Sequence, residues 1–105
     1  MGVMHLFLAN GAYDQQRLET PPPLDELSNL VQGVPEVVPA LFQGRQCQLV
    51  IREGAGGEPL PVNAQASALH AAWAAREGRA RRRIRGHAVL LDGVDLVELP
   101  PRGGR

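Results

Sequence analysis

Apolar and polar positions along this chain fall into short blocks whose periods separate strands from helices. Val3–Ala9 is apolar with His5 as its one polar interruption, and predicts a buried strand closed by an Asn10-Gly11 turn. The stretch to Pro23 is polar and ends in Thr20-Pro21-Pro22-Pro23, which reads as a stiff connector. Leu24, Leu27, Leu30 and Val31 then recur at helical spacing. Pro23 suits the first helical position, Asp25 and Glu26 favour the positive end of the dipole, and Gly33 followed by Pro35 predicts the stop.

Glu36–Phe42 and Gln46–Glu53 predict two strands joined by Gln43-Gly44-Arg45, a hairpin with Cys47, Leu49 and Ile51 on one face. Pro39 cannot donate to a ladder, so the first of these strands is expected at a sheet edge or at a bulge. A Gly-rich loop covers Gly54 to Pro61. Asn63 is a helix N-cap candidate, with Ala66, Leu69, Ala72 and Trp73 at helical spacing behind it and Glu77-Gly78 at the end. Arg79–Arg83 is a basic connector. Ile84–Leu91 predicts the last strand and Asp92-Gly93 a turn. Val94–Leu99 is a further short strand candidate, and Pro100–Arg105 a flexible tail.

The resulting order is β-α-β-β-α-β, and the fold class α+β. The expected packing is a mainly antiparallel sheet with two helices on one face, in one domain over residues 1–99 with the tail at 100–105. The same order occurs in the ferredoxin-like split β-α-β pattern.

Composition sharpens the class without naming an activity. The 105 residues are 44% hydrophobic and 21% charged, ordinary values that argue against disorder along the whole chain. Cys47 is the only cysteine, so no internal disulfide and no Cys-rich metal site can form, and a reducing, cytoplasmic setting is expected. No signal peptide and no membrane-spanning run is read in the sequence. Formal net charge is zero, yet all eleven basic residues are Arg and eight of them follow Arg52. A GC-rich genome accounts for that usage as well as function does, since Ala, Gly and Pro are abundant too.

Several segments, taken in order, resemble a family known only as domain of unknown function 3846. They are Leu30-Val31-Gln32-Gly33 with Pro35-Glu36-Val37-Val38, then Leu49-Val50-Ile51-Arg52-Glu53, then Leu60-Pro61-Val62-Asn63 with Ala66 and Leu69, and last Ile84-Arg85-Gly86-His87-Ala88-Val89-Leu90. The resemblance covers about residues 24–93. It implies mobile-element ancestry, since members are small proteins of phages, plasmids and bacterial genomes, and it carries no activity. This chain departs from the family in its arginine run and its Gly-Ala-Gly-Gly loop.

Arg76, Arg79, Arg81, Arg82, Arg83 and Arg85 place six guanidinium groups within ten residues. Planar donor forks at this density suit phosphate contact and hence nucleic acid, with Trp73 one turn earlier as a candidate base-stacking platform. The alternative is a solvated connector with Trp73 in the core. Gly54-Ala55-Gly56-Gly57 lacks the lysine and the following helix of a phosphate loop. His5, His70 and His87 have no metal-ligand spacing, although His5 and His87 fall in strands that could be neighbours. Ser67 and His70 stand i, i+3 on one helix, the one hydroxyl–imidazole pair within reach.

These readings favour a non-enzymatic accessory protein with nucleic-acid contact through the arginines, needing no cofactor and no metal. A module that binds a protein partner or forms a homodimer through an open sheet edge is the second reading, with Val94–Leu99 as the better edge. A small enzyme whose site is not visible in the sequence is the third.

Overall fold

The computed structural model describes residues 2–54 and 60–94. Five strands and two helices follow one another as β1 (Gly2–Phe7), β2 (Tyr13–Leu18), α1 (Leu24–Val31), β3 (Pro35–Phe42), β4 (Arg45–Arg52), α2 (Ala64–Glu77) and β5 (Ala88–Asp92). The strands form one sheet in the order β2-β1-β5-β4-β3, and every neighbouring pair is antiparallel. The fold is thus a small α+β domain in the expected element order, with one strand added.

The added strand is β2, which the sequence reading treated as a connector. Its six residues pair with Gly2–Phe7 in unbroken register, yet only Leu18 is buried. An edge strand exposed on both faces needs no apolar alternation, so the usual signal is missing.

The two helices lie on opposite faces, which corrects the expectation of two helices on one face. Val37, Val50, Val89, Leu91 and Met4 form one cluster with Leu27 and Val31 of α1. The residues between them along each strand, Val38, Leu49, Ile51, Leu90 and Phe7, pack with Ala66 and Leu69 of α2. Successive strand residues face opposite ways, so these are the two sides of one sheet. The three central strands carry apolar side chains on both faces, and one helix cannot cover both.

Strand pairing also departs from the split β-α-β pattern. The strands that α2 joins, β4 and β5, are direct antiparallel neighbours through Gln48↔Leu91, Leu49↔Leu90 and Val50↔Val89. The helix therefore runs out from the end of β4, and the chain must come back along it to reach β5.

Local chemistry accounts for most boundaries. The β3–β4 hairpin turns through Gln43 and Gly44, both at positive φ, as a two-residue turn with right-handed strand twist requires. Pro39 lies on β3, an edge strand as its missing N–H demands. The end of α1 differs by one residue from expectation: Gln32 takes the left-handed conformation, and Gly33 N–H closes the helix on Ser28 C=O at 3.0 Å. Glycine serves at position 33 for another reason. A Cβ there would meet the Arg52 side chain at 2.8–3.0 Å. The core line of α2 also shifts, to Ala66, His70 and Ala74, leaving Leu69 and Trp73 half-buried at its flank and Ala72 exposed.

Candidate nucleic-acid interface

The arginine run is the return leg of α2. Ile84 is held against the first turn of the helix by three contacts: Asn63 N–H donates to its carbonyl at 2.8 Å, Ser67 Oγ–H donates to the same carbonyl at 3.2 Å, and Ile84 N–H donates to Ser67 Oγ at 2.8 Å. At the far end, Gly78 N–H reaches Ala75 C=O and Arg79 N–H reaches Ala74 C=O at 2.8 Å, the paired bonds of a Schellman stop. The chain from Gly78 to Ile84 thus runs back beside α2, held at Gly78 by the helix stop and at Ile84 by Asn63 and Ser67.

Ile84 is buried in the core, and Arg82 turns to β3, where its Nη1 donates to Glu36 Oε2 at 2.8 Å. The Glu36 side chain is 3% exposed and that of Arg82 43%. Arg79, Arg81 and Arg83 are exposed and make no ion pair among the described residues. Arg81, Arg82 and Arg83 form one wall of an open groove of ≈ 390 Å³ whose other side is Val62, Ser67, Ala68 and Ala71.

The six predicted arginines therefore separate by role. Arg76 is spent on Glu77 at 3.1 Å and reaches Gln46 at 3.5 Å, and Arg85 donates to Leu60 C=O at 2.8 Å. Arg82 anchors. Arg79, Arg81 and Arg83 remain for a ligand. Sequence reasoning missed the part that Glu36 and Ser67 play in placing the return. Glu36 stands 46 residues from Arg82 and nothing local pairs them. Ser67 does carry a faint signal, a polar residue one turn after the N-cap on a helix otherwise rich in Ala.

Asn63 ties the start of this unit to the sheet. Its Oδ1 accepts from Ala66 N–H at 3.1 Å, the expected cap, and its Nδ2 donates to Phe7 C=O at 2.8 Å and Gly86 C=O at 2.9 Å. An isolated Val62↔Arg85 bridge closes the same junction.

Trp73 does not stand beside the arginines. Its ring stacks on His70 at 5.7 Å, and on a helix with about 100° between residues it lies across α2 from Ser67, Ala68 and Ala71. His70 is buried, with Nδ1–H donating to Pro39 C=O at 2.8 Å. Ser67 is engaged by Ile84, so the hydroxyl–imidazole pair is not assembled.

The other candidate chemistry is likewise dispersed. His5 and His87 do sit on or beside adjacent strands, but His87 Nδ1 accepts from Ala9 N–H at 3.1 Å while His5 Nδ1 meets Tyr13 Oη at 2.6 Å. Phe7, Tyr13 and Phe42 surround the His5 ring with centroids 4.7–6.3 Å away. Burial lowers the His5 pKa below 6.5, and the Asp92 carboxylate opposes that shift. Cys47 is buried on β4 with Sγ 3.8 Å from Asp92 Oδ1. The cation near it, Arg45, is bound to Asp92 at 2.6 Å, and that hydrogen bond raises the Arg45 pKa. Among the described residues no three His, Cys, Asp or Glu side chains gather as a metal site, and no helix is long and apolar enough to cross a membrane. The Gly-rich loop beyond Gly54, the Val94–Leu99 strand beyond Val94 and the tail lie outside the described residues.

No family model, curated protein or solved structure matches this chain.

Proposed function

We propose that this protein is a non-enzymatic accessory protein that contacts nucleic-acid phosphates through Arg79, Arg81 and Arg83. The observation that carries the reading is the return leg, which is pinned at both ends and at Arg82 and leaves Arg79, Arg81 and Arg83 exposed without an ion pair among the described residues. Three long, exposed guanidinium side chains on one short segment can each reach a separate phosphate. Displacement of counterions from the phosphates supplies the free energy. The resemblance to domain of unknown function 3846 supports a mobile-element origin, a setting in which a small nucleic-acid-binding accessory is at home.

Fluorescence anisotropy with short labelled DNA, titrated at low and at physiological salt, tests the reading. The expected result is micromolar binding that weakens steeply with salt. No binding even at low salt removes nucleic acid as the partner.

One specific observation favours a second reading. β2 is an edge strand with five of its six residues exposed, whereas the opposite edge, β3, is blunted by Pro39. A partner strand, from another protein or a second copy, would add at β2. Light scattering coupled to size exclusion separates the homodimer from the monomer.

A further inference from the structure

We infer that the arginine groove selects double-stranded over single-stranded nucleic acid and holds one backbone strand of it without reading bases; this rests on the reading above. Proteins that hold unpaired strands combine a basic groove with aromatic faces on which bases stack. The chain has four aromatic side chains, and all are placed elsewhere. Phe7, Tyr13 and Phe42 enclose His5, and Trp73 stacks on His70 across the helix from the groove. Beside Arg81, Arg82 and Arg83 stand Val62, Ser67, Ala68 and Ala71, which offer one hydroxyl and short apolar surfaces. The hydroxyl is already committed to Ile84. An unpaired base would find no stacking partner here.

Rigidity points the same way. The return is anchored at the Schellman stop of Gly78, at Arg82 through Glu36 and at Ile84, so the backbone that carries the guanidinium groups is held in place. A duplex presents its phosphates in a fixed arrangement before binding, and meeting a fixed set of cations costs it little ordering. A single strand must be straightened to match and loses that freedom on binding. Short side chains at Ala68 and Ala71 let the backbone approach the helix wall closely.

The test compares one labelled DNA sequence as duplex and as single strand, by anisotropy across a salt series, with Trp73 emission followed in parallel. The duplex is expected to bind at least about fivefold more tightly, with a log–log salt slope near −2.7 for three phosphates at about −0.9 each. Changing Arg79, Arg81 and Arg83 together to Gln should abolish that slope, and a scrambled duplex should bind as well as the original. Trp73 emission should stay unchanged at saturation. Equal or tighter single-strand binding, or quenching of Trp73 by single strands, overturns the duplex inference while leaving phosphate contact standing. Absence of binding to both forms overturns the parent reading, and this inference with it.

Discussion

Arg82 Nη1 stands 2.8 Å from Glu36 Oε2, and this contact decides what the rest of the arginine run can do. The carboxylate lies almost wholly out of water on the edge strand, and one half-exposed arginine answers it. The pair ties the middle of the return to the edge strand, while Arg79, Arg81 and Arg83 beside it stay exposed.

Replacing Arg82 should therefore harm the fold more than replacing its neighbours. Arg82→Gln leaves a buried carboxylate without its cation, at a cost of about 2–3 kcal/mol, below the range for a fully buried pair because Arg82 keeps contact with solvent. Glu36→Gln removes the charge and leaves an amide that can still accept from Arg82, so its cost is expected to be smaller. Urea unfolding of the two variants checks the order. If Arg82→Gln proves as stable as the parent protein, the pair is not an anchor.

The outward arginines should behave in the opposite way. Arg79→Gln, Arg81→Gln and Arg83→Gln touch no described partner, so each should leave the unfolding midpoint in place. Each should instead shallow the salt slope of DNA binding by about 0.9. Arg85→Gln and Arg76→Gln provide the contrast, since their guanidinium groups are occupied by Leu60 C=O and by Glu77. A slope that falls equally for all five would mean diffuse attraction by net charge rather than a defined site.

Asn63 is the junction most sensitive to truncation. Asn63→Ala removes the cap on Ala66 N–H and leaves the buried carbonyl of Phe7 and the part-buried carbonyl of Gly86 without this donor. A lost cap costs about 1 kcal/mol, and each acceptor left without a donor about 1–3 kcal/mol, so a total of at least about 3 kcal/mol is expected. Asn63→Asp keeps the cap acceptor and loses both donors, and should recover only the smaller part. Thermal melts of the pair separate capping from the link to β1.

The elements that were legible in the sequence are those whose local chemistry and burial agree. Asn63 and Gly78 bracket α2 as helix-end rules require, and Gln43-Gly44 closes a hairpin whose edge strand carries Pro39. What failed were features settled by tertiary partners. β2 is polar because it borders solvent on both faces and exists only through its pairing with β1. The helix faces were misassigned because apolar residues at Val50 and Leu49, or Val89 and Leu90, demand cover on both sides, and the element order does not say which helix supplies it. At the candidate site the arginine cluster was visible as composition. Its division into Arg82 and the outward three depends on Glu36, brought near by the sheet alone.

His5 gives the fold a pH dependence whose sign can be worked out. Burial among Phe7, Tyr13 and Phe42 holds its folded-state pKa below 6.5, because the charged ring is poorly solvated there; the Asp92 carboxylate offsets only part of this. An unfolded chain then binds more protons than the folded one between the depressed folded pKa and the unfolded value of about 6.5. The His5 contribution is thus fully present above about pH 6.5, declines as the pH falls through that window, and levels off below the folded pKa. Urea midpoints measured from about pH 7.5 down to about pH 5 should fall accordingly. In His5→Phe, which keeps a ring in the cluster and removes its titration, the fall should be shallower. A variant with the same pH profile as the parent protein would assign the dependence to other groups.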